Sequence, residues 1–193
     1  MTKHILRIDA SLRQSDSVTR GLLDRITQQF TGATITERDL SAGLPLIDGE
    51  WIGANFTPAA DRSAAQHEVL KHSDNLIDEV KAADTLVLGL PIYNFTVPTA
   101  FKAWIDLVAR VGLTFQYTDT GPIGMLTGKR AIVAIASGGT KTGSDIDFAT
   151  GYIRHILGFI GITDVTFIAA DALMADADIA LATAHSQIDA LAA

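Results

Sequence analysis

The sequence predicts an α/β fold: a three-layer sandwich around a five-stranded parallel sheet of order 2-1-3-4-5. Three observations lead there. Two runs, "DTLVLGLP" at 84–91 and "RAIVAIA" at 130–136, are almost wholly apolar, as strands buried on both faces must be. The stretches between strands carry apolar residues at helical spacing. Strand-like and helix-like segments alternate five times, which implies parallel strands joined by right-handed crossovers. A chain of 193 residues fits one domain over 1–193.

The elements follow in order. "HILRID" (4–9) reads as a short strand, and Leu22, Leu23, Ile26 and Phe30 then mark an amphipathic helix. "ATITERDL" alternates and reads as the second strand. Residues 41–62 have no clean period and hold two Pro and three Gly, so they read as a long ordered excursion. Val69, Leu70, Leu76, Ile77 and Val80 place a helix over 64–82, before the buried strand at 84–91. Pro98 suits a first helical turn, where a missing N–H costs nothing, so 98–111 is the next helix. After the buried strand at 130–136 come a helix over 148–159, ended by Gly158 or Gly161, a strand at 164–170 and a closing helix over 176–193.

Composition narrows the partners. Net charge is −7, which argues against nucleic acid or an anionic membrane. There is no cysteine, so disulfides, thiolate nucleophiles and cysteine-held metal are excluded. The five histidines form no HxH or HExxH pair, so no metal site is expected. "MTKHILRIDASL" holds no signal-like apolar run, and no stretch approaches the ~18–20 apolar residues of a membrane span. A cytoplasmic protein is expected.

In sheets of this order ligands sit outside the carboxyl ends of the strands, at the switch point between strands one and three. That rule selects three loops. The first, "DASLRQSDSVT", puts Ser11, Ser15 and Ser17 ahead of a helix. A single serine there would be an N-cap. Three hydroxyls with the free amides of a helix start also suit a phosphate. Neither GxGxxG nor GxxxxGK[ST] is present, so this is not a dinucleotide fingerprint or a P-loop. The second loop, "PIYNFTVP", offers Tyr93 and Phe95 as flat surfaces and Asn94 as donor and acceptor; a packed turn is the alternative. The third, "ASGGTKTG", has paired glycines that let backbone approach a ligand, or that make a flexible connection, with Thr140 and Lys141 beside them. One phosphate loop and two loops flanking a flat heteroaromatic ring describe a flavin mononucleotide site.

The residues also carry a resemblance. Ser11-x-x-x-Ser15-x-Ser17, "PIYNF" at 91–95, "FKAWIDLVARVGLTFQYTDTGPIGMLTGKRA" at 101–131, "SGG" at 137–139 and "GYIRHILGFIGITDVTFI" at 151–168 resemble the FMN-dependent NADH azoreductases, also called NADH:quinone oxidoreductases, of the flavodoxin-like superfamily. The resemblance implies a homodimer with one FMN per subunit at the interface. It implies that Ser11, Ser15, Asp16 and Ser17 hold the phosphate, that Pro91, Ile92, Tyr93, Asn94 and Phe95 hold the ring, and that Ser137, Gly138 and Gly139 face its pyrimidine edge. Tyr117 and Phe159 match positions that border the substrate pocket in relatives. Many relatives carry an Arg between the Ser and the paired Gly of the third loop; this chain does not.

The flavin would carry the chemistry, so no catalytic side chain is nominated. Two electrons would pass from NADH or NADPH through FMN to quinones or azo compounds. With one face of the ring against protein, donor and acceptor would share the other face in turn, which is ping-pong kinetics. Alternatives on the same fold are an NADPH-dependent FMN or chromate reductase and a non-catalytic flavodoxin-type electron carrier. The 41–62 excursion and "TFQYTDTGP" favour a built substrate pocket over a carrier. Trp51, Ile52 and Phe56 are large apolar groups that a monomer would expose in part, and they point to a two-fold interface.

Overall fold

The structure, a computed structural model, describes residues 2–192. In chain order it contains β1 (His4–Asp9), α1 (Val18–Gln28), β2 (Thr34–Asp39), α2 (Gly49–Phe56), α3 (Ala64–Ala82), β3 (Thr85–Pro91), α4 (Thr99–Val108), β4 (Phe115–Thr118), β5 (Gly121–Gly124), β6 (Arg130–Ala136), α5 (Thr150–Phe159), β7 (Asp164–Ala170) and α6 (Ala177–Asp189). β2, β1, β3, β6 and β7 form one parallel sheet in that spatial order, which is 2-1-3-4-5 counted over its own strands. β4 and β5 form a separate antiparallel hairpin.

The pleat sorts the core into two layers. Leu6, Ile8, Leu86, Leu88, Leu90, Val133 and Ile135 point to one face and pack with α3, α4 and α5. Ile5, Val87, Ile132, Ala134 and Ile168 point to the other and pack with α1 and α6. This is the period of two that strands impose on their side chains. Every residue of β3 is buried, as its sequence predicts for a central strand. β2 and β7 are the two edge strands, and β2 is polar and mostly exposed. A Cβ on Gly89 would stand 2.9 Å from Leu23 Cδ1, so the bare glycine lets α1 lie close on the sheet. No helix among the described residues is long and apolar enough to cross a membrane.

Several boundaries differ from the sequence reading, each for a local reason. α1 begins at Val18, and Ser17 is its N-cap, accepting the Arg20 amide. α4 stops at Val108 instead of 111, because Ala109 leaves the helical region and the Arg110 amide turns to Thr114 Oγ1 at 3.0 Å. α5 begins at Thr150 rather than 148: the Asp147 carboxylate accepts the amides of Ala149 and Thr150 at 2.9 and 3.0 Å. Gly158 lies inside α5, and Gly161, with φ of +105°, follows its end. The closing helix ends at Asp189 in a 3₁₀ turn, Ala190–Ala192; Ala193 lies outside the described residues.

The 41–62 excursion contains a helix. Asp48 caps α2 by accepting the Trp51 amide at 2.8 Å. Of the three large apolar groups expected to be exposed in part, Trp51 is buried in the main core, because it sits on the inner face of α2. Ile52 and Phe56 remain exposed. The fully buried Arg110 fastens the excursion: its guanidinium donates to Asn55 of α2 at 3.0 Å and to Ser73 and Asp74 of α3 at 3.0 and 2.5 Å.

Candidate functional site

The strand ends of β1, β3 and β6 meet where the topology rule places a ligand. A cleft of about 140 Å³ opens there, walled by Ser11, Arg13 and Ser17 on one side and Pro91–Tyr93, Ser137 and Gly138 on the other. A larger depression of about 690 Å³ adjoins it, lined by Leu12, Leu44, Leu46, Tyr93, Asn94 and Val97. Tyr93 borders both cavities.

The first loop is held from within. Ser11 is buried, and its hydroxyl accepts the Arg13 amide at 3.2 Å, which leaves its proton free to donate. Ser17 Oγ accepts the Arg20 amide and lies 3.2 Å from the Thr19 hydroxyl. As the first amides of α1, those of Val18 and Thr19 lack intrahelical partners, and both residues line the cleft. Ser15 and Asp16 are exposed and line neither cavity; Asp16 makes the bend of the loop in the left-handed region, with φ of 56°.

The second loop is a tight hairpin. Tyr93 and Thr96 exchange both backbone hydrogen bonds, at 3.0 and 3.1 Å. Asn94 and Phe95 between them have φ of 47° and 72°, the signature of a type I′ turn. Asn tolerates that conformation; Phe does not favour it. The Phe95 ring is left half exposed, and its carbonyl accepts the Phe148 amide at 3.0 Å. "PIYNF" is therefore strained at the residue that displays a ring.

In the third loop the Ser137 hydroxyl is turned inward. It donates to the Thr140 carbonyl and accepts the Ala172 amide at 3.4 Å. These bonds shape the loop, and Ser137 lines the cleft as well. Gly138 lines the cleft and Gly139 does not. The segment after β7 lies against them: the amides of Leu173 and Met174 donate to the carbonyls of Ser137 and Gly138 at 3.0 and 2.9 Å. Leu173 thus becomes a fourth wall.

Tyr117 and Phe159 are brought together elsewhere. Phe115 stacks edge-on with Tyr117 at 5.5 Å and tilts against Phe159 at 4.5 Å. "TFQYTDTGP" is a hairpin rather than a polar loop, with Tyr117 on its exposed surface. Neither ring lines the two cavities.

The charges beneath the first loop are paired. Arg20 reaches Asp39 at 2.9 Å and Asp9 at 3.8 Å, and Arg7 reaches Asp9 at 2.8 Å. Burial alone would raise the Asp39 carboxyl. Hydrogen bonds from Arg20 and Ser41 outweigh it and hold Asp39 down at about 2. Among the described residues Arg13 has no ion-pair partner, and it stands at the cleft.

A model of the flavodoxin-like fold matches residues 3–192 of this chain. A relative from Jannaschia sp. is 65% identical over 98% of this chain and 99% of its own; it is an FMN-dependent NADH:quinone oxidoreductase 1. This chain belongs to the FMN-dependent NADH:quinone oxidoreductase family. A second member, from Colwellia psychrerythraea and of the same name, is 53% identical over 96% of this chain and 98% of its own. The family fold extends to a Bacillus anthracis azoreductase structure, with TM-score 0.88, 22% identity and 99% of both chains covered.

Sequence reasoning missed Arg13, Arg20 and Leu173. A signal existed for Arg20. A cation in the first turn opposes the helix macrodipole, so an Arg three residues past an N-cap calls for a local partner.

Proposed function

We propose that this protein is an FMN-dependent oxidoreductase that passes two electrons from NADH to quinones and azo compounds. The observation that carries the reading is the cleft at the β1/β3 switch point, with a helix N-terminus at one end and a glycine loop at the other. The names of its close relatives support it.

The residues present fit the cofactor. A phosphate dianion suits the free amides of Val18 and Thr19, the Ser11 hydroxyl and the Arg13 guanidinium. Ile92, Tyr93 and Leu173 offer apolar surface for a flat ring, and the Gly138 backbone can approach its polar edge. Bound FMN supplies the two-electron chemistry between a nicotinamide and an acceptor. This chain's residues bind and orient, and the adjoining depression beside Tyr93 and Asn94 suits a flat substrate. An electron carrier has no need of that depression.

Assembly as a two-fold homodimer completes the proposal. Leu46 and Phe56 are exposed at 71% and 77%, and Ile52 lies near them in sequence, which gives the excursion an apolar surface for a second copy. Light scattering should give twice the mass of one 20.5 kDa chain.

The deciding experiment is the absorption spectrum of purified protein loaded with FMN, before and after anaerobic NADH. Yellow protein bleached by NADH supports the reading, and protein that takes up no FMN removes it. Initial rates with NADH varied at several fixed quinone concentrations should give parallel double-reciprocal lines, as a shared slot requires. Intersecting lines would replace it with a ternary complex.

A further inference from the structure

We propose that Arg20 is the positioning residue that makes this site select a phosphorylated flavin over an unphosphorylated one. The proposal rests on the flavin reading above and concerns a side chain that lines neither cavity.

Arg20 grips the first loop from both ends. Its backbone amide donates to Ser17 Oγ at 3.4 Å. Its guanidinium folds back along the loop: Nε donates to the Arg13 carbonyl at 3.1 Å and Nη2 to the Ser11 carbonyl at 3.0 Å. Nη2 also meets Asp39 at 2.9 Å, and Nη1 stands 3.8 Å from Asp9. The carbonyl of Arg20 itself accepts from Arg7 Nη2 at 3.5 Å. One side chain, 17% exposed, therefore ties the loop to β1, β2 and α1 together.

Gripping carbonyls orients amides. In a planar trans peptide the C=O and the following N–H point in opposite directions. Fixing the Ser11 carbonyl on Arg20 therefore turns the Leu12 N–H away, and it donates to the Tyr93 hydroxyl at 3.3 Å on the cleft wall. Fixing the Arg13 carbonyl turns the Gln14 N–H away in the same manner and sets where Arg13 leaves the loop. Ser11 Oγ and the Arg13 side chain, two of the groups proposed to hold the phosphate, both belong to this segment.

The charge of Arg20 does not explain the effect, because Asp39 and Asp9 already balance it. Its forked geometry does. Lysine carries its three donors on one nitrogen and cannot fill the separate Nε and Nη2 positions that hold the Arg13 and Ser11 carbonyls. Ring contacts would come from Ile92, Tyr93 and Leu173, and Arg20 reaches these only indirectly, through the Leu12 amide on Tyr93, so a flavin without phosphate should sense its loss far less.

The test uses apo-protein titrated with FMN and with riboflavin, each followed by flavin fluorescence. In Arg20→Met the FMN Kd should rise by about tenfold or more, the scale of one or two hydrogen bonds to a charged group. The riboflavin Kd should stay within about twofold, so the preference for FMN collapses. Arg20→Lys should fall between Met and wild type. Asp39→Asn removes the ion pair and keeps the carbonyl contacts, so it should lower the melting temperature and preserve the FMN preference. Equal weakening of both ligands in Arg20→Met, or an unchanged FMN Kd, overturns the proposal. Should Arg20→Met not fold, Arg20→Lys and Asp39→Asn decide: equal FMN preference in the two overturns it. Wild-type protein that binds neither flavin defeats the flavin reading instead.

Discussion

The Leu12 amide donates to the Tyr93 hydroxyl at 3.3 Å, and this bond joins the loop after β1 to the loop after β3. It crosses the switch point of the sheet and sets the spacing between the two walls of the cleft, the proposed phosphate and ring ends. Tyr93 is therefore a strut as well as a surface.

Tyr93→Phe keeps the ring and removes the strut. Leu12 is largely exposed, so water replaces the lost partner and the cost stays near the ~1 kcal/mol of an ordinary hydrogen bond. In a chain of this length that is about 2–4 °C in Tm. FMN affinity of the apo-protein should fall as well, since the two walls are no longer tied. A variant with wild-type Tm and wild-type FMN affinity would show that the contact carries nothing.

Phe95 occupies the left-handed region at φ of 72°, which costs an L-residue roughly 1–2 kcal/mol. Phe95→Gly converts "YNFT" into an Asn-Gly turn suited to type I′. The ring is 51% exposed, so little burial is lost. Calorimetry should find the variant as stable as wild type or more so, by up to about 1 kcal/mol, with weaker flavin binding. Clear destabilisation with unchanged binding would assign the ring to packing and not to a ligand.

Gly124 and Gly161 pass backbone to backbone. A Cβ on Gly124 would stand 2.1 Å from Gly161 N, and backbone at that distance cannot give way without displacing the hairpin from α5. Gly124→Ala should cost about 3 kcal/mol, the upper end for overpacking, in urea unfolding. A loss under about 0.5 kcal/mol would mean that the hairpin docks loosely. Cleavage by protease near 118–121 should rise in parallel.

Acid should release the clamp on the first loop. Asp39 is held at about 2, below its ordinary 3.8, so its contribution is present above about pH 4 and is lost as pH falls toward 2. The Asp39 side chain is 42% exposed, and solvent screening limits the effect to about 1 kcal/mol or less. Asp39→Asn should flatten the fall in Tm between pH 4 and 2. An acid limb of unchanged steepness would place the protonation elsewhere.

The fold was legible because its signals are local. β3 and β6 announce two-sided burial by composition, and the sheet order follows from alternation and handedness. The three loops came from topology alone, since strand ends converge whatever their sequence. The serine run was legible as a helix start, and Ser17 does cap α1. Tertiary structure decided the rest. Whether Trp51 faced solvent or core depended on α2, a helix of eight residues too short to show a period. Which way the Ser137 hydroxyl turned depended in part on Ala172, 35 residues away. Ser15 and Ser17 look alike in the sequence, yet only Ser17 reaches the cleft, because Asp16 bends the chain between them. Arg20 finds its partners on β1, β2 and the first loop at once. Periodicity reports which face of an element is buried, and it carries no information about which side chains from distant elements meet there.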